Sequence, residues 1–252
     1  MKLLVVLGLF LSLLALSRLT LGPYRRSWRS WRTDLGYWLL APLIKPLVGL
    51  ATLLMALPAL ALAGLPLNES VLHGHGPLAQ LPLPLQTLLA LLVADFAGYW
   101  LHRAHHGPLW RHHAVHHSSE RLDWVASVRA HPLNALVQRV PVAIGLLLLG
   151  FDLAAMGGAT GLGALYGLLL HARVDWDFGP LRKVLASPRF HRWHHSPERD
   201  CNFASLLPLW DLLFGTFHLP ERGPETFGVR GEPLPEGVLA QLRYGFGGRR
   251  KG

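Results

Sequence analysis

Histidine is the residue type this sequence concentrates: fifteen among 252 residues, most of them in three short clusters. The cluster HHAVHH places His113, His116 and His117 at i, i+3 and i+4, and HRWHH repeats that spacing with His191, His194 and His195. On a helix each trio shares one face. The first cluster, DFAGYWLHRAHH, sets Asp95, Tyr99, His102 and His106 at intervals of four, three and four, again one stripe. His171 stands alone between the second and third clusters. Neutral imidazole suits iron, zinc, copper and nickel. Nine such histidines exceed the needs of one tetrahedral zinc, which takes four protein ligands or three and a water. They suit two metals with four or five nitrogens each. Neither E-x-x-H nor H-E-x-x-H occurs, so a carboxylate-rich soluble di-iron bundle and a thermolysin-like zinc site are both unsupported. His105 and His112 fall off the shared faces, and His73, His75 and His218 lie in links, so these five are read as lying outside the metal set.

The elements that position these residues are apolar. Only 15% of residues are charged and mean hydropathy is +0.29, whereas a soluble domain carries about 25% charged residues. The single cysteine, Cys201, excludes an internal disulfide framework and a cysteine-ligated iron–sulfur cluster. The net charge of +9 sits in arginines flanking apolar blocks, the pattern of a cytoplasmic membrane face and not of a nucleic-acid binder. Leu3–Leu16, with no A-x-A-like cleavage site after it, is expected to be a retained first span. Pro46–Gly64 is a second span, kinked at Pro58 and preceded by an interfacial stretch with Tyr37, Trp38 and Lys45. Leu83–Leu101 is a third, interrupted only by Asp95, an ionisable residue at membrane depth.

The apolar block Val140–Leu170 must leave and return on one side if the histidines before and after it share a site. A short hairpin dipping part-way, turning between Phe151 and Thr160, meets that need. Gly157, Gly161, Gly163 and Gly167 would allow close packing there. Arg18, Arg25, Arg26, Arg29 and Arg32 make the first link cytoplasmic, and the next link has no Lys or Arg, so the histidines fall on the cytoplasmic side. The expected fold is therefore all-α: an integral-membrane helical bundle with a cytoplasmic helical cap carrying the histidine clusters. Residues 1–252 are read as one domain, with N-terminal spans and links over 1–82, a di-metal core over 83–220 and a C-terminal cytoplasmic tail over 221–252. The basic end from Gly245 is expected to be disordered near anionic headgroups. Asp95 is expected to accept a ring N–H from a ligand histidine, directly or through Tyr99.

Taken together, DFAGYWLHRAHH, LWRHHAVHHSSERLDW, VRAHPLN, LASPRFHRWHHSPERDCNFAS and LWDLLFGTF resemble the fatty acid hydroxylase/sterol desaturase superfamily of integral-membrane di-iron enzymes. The likeness runs from roughly Ala94 to Thr216. It implies metal ligation by His102, His106, His113, His116, His117, His171, His191, His194 and His195. His131, in RAHP, matches a histidine that either ligates or supports the site. Asp175 stands where some members carry a further histidine; it would ligate through oxygen, orient His171, or do neither. Asn202 and Asp211 match supporting positions, although Asp211 equally suits a helix or turn cap.

The resemblance further implies O2-dependent hydroxylation or desaturation of a lipid C–H bond at two irons, with zinc able to occupy the site in purified material and O2 as co-substrate. Sterols, fatty acyl chains, ether lipids and isoprenoids are the substrate classes, with pocket walls drawn from Trp100, Trp110, Trp124 and the hairpin. With no haem motif, flavin fingerprint or cysteine cluster in the chain, electrons must come from an external donor of cytochrome b5 or ferredoxin type. Arg103, Arg111, Arg121 and Arg129 would dock it, unless they only set topology. Two other functions fit the histidines: a membrane zinc metallohydrolase with Glu120 or Asp175 as base, and a non-enzymatic metal transport or storage protein. The last needs a polar path through the spans.

Overall fold

The computed structural model describes residues 27–231 and 233–246. Every regular element among them is helical: α1 (Trp28–Leu62), α2 (Gly76–Ala79), α3 (Leu83–His105), α4 (Trp110–His117), α5 (Pro132–Leu149), α6 (Leu153–Leu170), α7 (Pro188–His194), α8 (Leu209–Leu213) and α9 (Val238–Phe246), with three short 3-10 turns between them. Four of these, α1, α3, α5 and α6, are long and apolar enough to cross a membrane. The expected Leu3–Leu16 span, the arginines at 18, 25 and 26, and the basic end beyond Phe246 lie outside the described residues.

The span expected at Pro46–Gly64 is the second part of one 35-residue helix. At 1.5 Å per residue α1 is about 52 Å long, against roughly 30 Å of hydrocarbon. The extra turns are used at the histidine end. Ser27 caps the helix by accepting from Ser30 N at 3.1 Å. Tyr37 is buried, and the Trp38 indole N–H donates to Val125 O at 3.0 Å. The stretch read as interfacial is thus continuous helix, held by tertiary contacts that a hydropathy window does not register.

The hairpin is present and longer than expected. Helices α5 and α6 have 18 residues each, about 27 Å apiece, so each is by length and composition long enough to cross a membrane. Helix α5 starts well before Val140 because its polar residues find partners inside the bundle: Gln138 Nε2 donates to Gly98 O at 3.2 Å, and Asn134 Oδ1 accepts from a histidine ring. The turn falls at Gly150–Asp152. Gly150 ends α5 at φ 93°, and Asp152 caps α6 by accepting from Ala154 N. A Cβ on Gly150 would lie 2.1 Å from His75 O. His75 clamps this turn: its main-chain N donates to Gly150 O at 3.1 Å and its Nε2 to Leu147 O at 3.1 Å. Gln86 completes the far end by accepting from Asp152 N and donating to Leu81 O.

Close packing between α3 and α6 uses one of the expected glycines, Gly163, and one not foreseen, Gly158. A Cβ on Gly158 would lie 3.0 Å from the Thr87 methyl and one on Gly163 3.7 Å from Leu91, while a Cβ on Gly157, Gly161 or Gly167 would meet open space. Helices α3 and α6 run toward the histidine end, and α1 and α5 run away from it. The chain therefore gathers its functional side chains at one end, which the start of α1, with Arg29 and Arg32, shares. Helix α9, expected as part of a tail, packs against α4, and Gly245 at its end lies against His131.

Candidate metal centre

Nine histidines from four separate stretches converge in two adjoining groups. His102, His106, His113, His117 and His194 form one; His116, His171, His191 and His195 form the other, and within each the potential ligand atoms lie within 4.8 Å of one another. Each HxxHH stretch divides its histidines between the groups, so α4, and α7 with its C-cap His195, each serve both. The stacked rings of His117 and His195, 4.3 Å between centroids, join the two.

Hydrogen bonds to the outer nitrogens fix which atoms face inward. His102 Nδ1 donates to Phe203 O at 2.7 Å, His113 Nδ1 to Asn134 Oδ1 at 2.9 Å, and His116 Nδ1 to Arg129 O at 3.1 Å. His171 Nδ1 donates to Gly167 O at 2.8 Å and His194 Nδ1 to Cys201 O at 2.9 Å. Each such bond places the one proton of a neutral ring on Nδ1 and leaves Nε2 as a bare lone pair. Yet His102 Nε2 and His113 Nε2 are 3.0 Å apart, and His116 Nε2 and His171 Nε2 are 3.3 Å apart. Two lone pairs at that distance repel unless a cation lies between them. The Nε2 atoms of His117 and His113, His191 and His171, and His195 and His191 lie at similar distances, 3.2, 3.2 and 3.1 Å. A metal–nitrogen bond of about 2.1 Å sets neighbouring ligand nitrogens roughly 3.0–3.4 Å apart. The donor set fits a metal pair. His106 Nε2 and His194 Nε2 are buried with no hydrogen-bond partner in the protein, as ligand atoms reserved for an ion would be.

The surroundings keep the rings neutral. Burial pushes His113, His117, His191, His194 and His195 well below the ordinary histidine range, and neighbouring rings push the same way. The same desolvation takes His116 to about 4 and His171 to about 3. Phe203 and Trp110 wall the five-histidine group, with ring centroids 5.0 and 5.1 Å from that of His106. Trp124 instead packs against Trp38 inside the fold, and Trp100 packs at a tilt against Phe214.

The residues expected to support the site act at one remove. Asp95 reaches no histidine; its carboxylate accepts from Leu206 N, Leu207 N and the Trp210 indole at 2.8, 2.9 and 2.9 Å. It thereby tethers the loop that supplies Phe203 O. Tyr99 is buried and bonds Thr216 Oγ1 at 3.0 Å, and Thr216 donates onward to Asp211. Asp211 accepts from Phe203 N at 2.7 Å and Ala204 N at 2.9 Å, which orients the carbonyl that holds His102. Asn202, at φ 58°, donates to Phe190 O and His218 O and accepts from His218 N, bracing α7. His131 caps α5 by accepting from Leu133 N and donates to Leu242 O, so both its nitrogens are committed away from the groups. Asp175 neither ligates nor orients His171; it pairs with Arg189 at 2.8 Å. Arg129, read as part of a surface patch, is buried against Asp34.

Sequence spacing missed the acceptors, since five of them are main-chain carbonyls or a residue on another element. Asn134 and Asp200 are the side chains overlooked; Asp200 Oδ1 lies 3.1 Å from His106 Nδ1. Cys201 is buried, which pushes its thiol up to about 12, and contributes only its carbonyl to the site.

The family described as fatty acid hydroxylase matches residues 87–216, the stretch that carries all nine histidines. The chain is 41% identical over 186 residues to an ornithine lipid hydroxylase of Rhizobium tropici, covering 71% of this chain and 55% of that protein. It is 33% identical over 142 residues to human alkylglycerol monooxygenase, covering 51% of this chain and 29% of the other. A Delta(7)-sterol 5(6)-desaturase of Aspergillus fumigatus is 27% identical over 179 residues, covering 67% of this chain and 52% of that one. The chain thus spans about half, or less, of the length of these relatives. No solved structure matches it.

Proposed function

The chain belongs to the fatty acid hydroxylase family, and from that premise we propose that it oxidises a lipid C–H bond with O2 at two irons held by the nine histidines. The observation that carries this reading is the facing of bare Nε2 lone pairs, His102 on His113 at 3.0 Å and His116 on His171 at 3.3 Å, in two adjoining groups. Bound iron would supply the redox chemistry that activates O2 toward a C–H bond. The protein does the rest. The Nδ1 acceptors orient the rings and keep protons off the inward nitrogens. Phe203 and Trp110 exclude water beside the five-histidine group. His102 lies in the last turns of α3 and His171 caps α6, so a lipid chain rising along either helix meets the site without leaving apolar surroundings. The substrate class is a membrane lipid, as the names of the relatives suggest, and the histidine end faces the cytoplasm, where an external carrier delivers electrons.

The hydrolase reading loses its base, because Asp175 is paired with Arg189 and Glu120 lies out against Gly228. The transport reading loses support at the polar side chains deepest in the spans: Gln86, Asp95 and Gln138 are each tied to main-chain groups. The test is iron content of detergent-purified protein loaded with Fe(II) without oxygen, followed by exposure to 18O2 with lipid extract. About two irons per chain, and one labelled oxygen atom or a new double bond in a lipid, are expected. Iron-free protein, or a firmly held zinc that supports hydrolysis, would overturn the proposal.

A further inference from the structure

The two histidine groups are not held alike. Four of the Nδ1 acceptors described above are main-chain carbonyls and one is the Asn134 amide, all neutral. His106 differs: its Nδ1 faces the Asp200 carboxylate at 3.1 Å. His106 also lies just past the end of α3, as its C-cap, where helix packing fixes a side chain least. Its ring is buried, with 4% of the side chain exposed, while 57% of the Asp200 side chain is exposed. The carboxylate thus reaches from the surface onto a buried ring. What it does is pin a ring whose Nε2 has no partner in the protein. The four-histidine group shows the opposite arrangement, for His191 Nδ1 is buried with no acceptor at all.

An anionic acceptor draws the Nδ1 proton toward itself and makes Nε2 a stronger donor than a carbonyl does. We propose that Asp200 is the positioning residue for His106 and makes the five-histidine group the tighter-binding of two unequal metal positions. The inference rests on the di-metal reading of the site. It predicts one carboxylate-backed position with five nitrogens and one weaker position with four, one of them unsupported.

The test uses the full chain in detergent, as parent, Asp200→Asn and Asp200→Ala, titrated with Fe(II) against a competing chelator without oxygen. The parent should show two affinity classes. In both variants the tighter class should weaken roughly 10–100-fold while the weaker class stays where it was. Mössbauer spectra of 57Fe-loaded protein should show one of two iron signals moved in Asp200→Asn. Unfolding of the metal-free variants separates any structural cost from the metal effect, and Asp200→Asn, which keeps an acceptor oxygen, should lie nearer the parent than Asp200→Ala. Two unchanged classes, or a change in the weaker class alone, would overturn the assignment. Equal weakening of both classes would also overturn it, by showing that Asp200 supports the cap as a whole. A parent that holds fewer than two metals would instead sink the di-metal reading, and this proposal with it.

Discussion

Replacing Asp95 by alanine removes a carboxylate that joins α3 to a loop more than a hundred residues away. Three donors lose their acceptor together: Leu206 N, Leu207 N and the Trp210 indole, at 2.8, 2.9 and 2.9 Å. Each buried donor left unsatisfied costs about 1–3 kcal/mol, and local relaxation recovers part of the sum. A loss of about 3–5 kcal/mol is expected, a large fraction of a typical total of roughly 5–15 kcal/mol. Asp95→Asn keeps one acceptor oxygen but turns an amide N–H toward a main-chain N–H, for a loss of about 1–2 kcal/mol. Thermal unfolding of metal-free protein in detergent reads both values. Because the same loop carries Phe203 O, the partner of His102 Nδ1, metal affinity should fall in the five-histidine group and hold in the other. The weakened class should be the one that Asp200→Asn alters. An alanine variant as stable as the parent within about 1 kcal/mol, or metal lost first from the four-histidine group, would refute the reasoning.

Three further outcomes follow from the geometry. His194→Ala leaves four donors in its group and His195→Ala leaves three in its own, so the second should lower metal content more sharply, as metal analysis after dialysis will show. Acid should weaken the metal-free protein. An unfolded histidine takes a proton near pH 6.5, whereas the fold holds His116 neutral down to about 4 and His171 down to about 3. The unfolded chain therefore binds more protons over that window, so stability is full above about pH 6.5 and declines as pH falls below it. Unfolding midpoints that stay flat between about pH 8 and pH 5 would contradict this. Gly150→Ala, at φ 93° with a Cβ 2.1 Å from His75 O, should open the α5–α6 turn and cost about 2 kcal/mol or more, measured by unfolding.

Much of the site was open to inference because its information is local. The i, i+3, i+4 spacing of His113, His116 and His117, and of His191, His194 and His195, puts three rings on one helical face whatever the helix later packs against. Long apolar blocks likewise declare bundle helices by composition alone. What spacing could not divide was the trio itself: α4 gives His113 and His117 to one group and His116 to the other, and only the placement of α3, α6 and α7 decides that split. The supporting contacts were hidden for the same reason. Asp95 lies on the stripe of His102 and His106, yet its carboxylate is spent on Leu206 and Leu207, because a neighbouring loop offers it main-chain N–H groups and the rings face elsewhere. The rings are oriented mostly by carbonyls, at Phe203, Arg129, Gly167 and Cys201, and every residue carries a carbonyl. The sequence by itself therefore determined which side chains would converge and that they would collect at one end of the bundle. The tertiary structure alone decided how nine nitrogens divide into two positions and which oxygen holds each ring, since those depend on contacts between elements and leave no periodic trace in the chain.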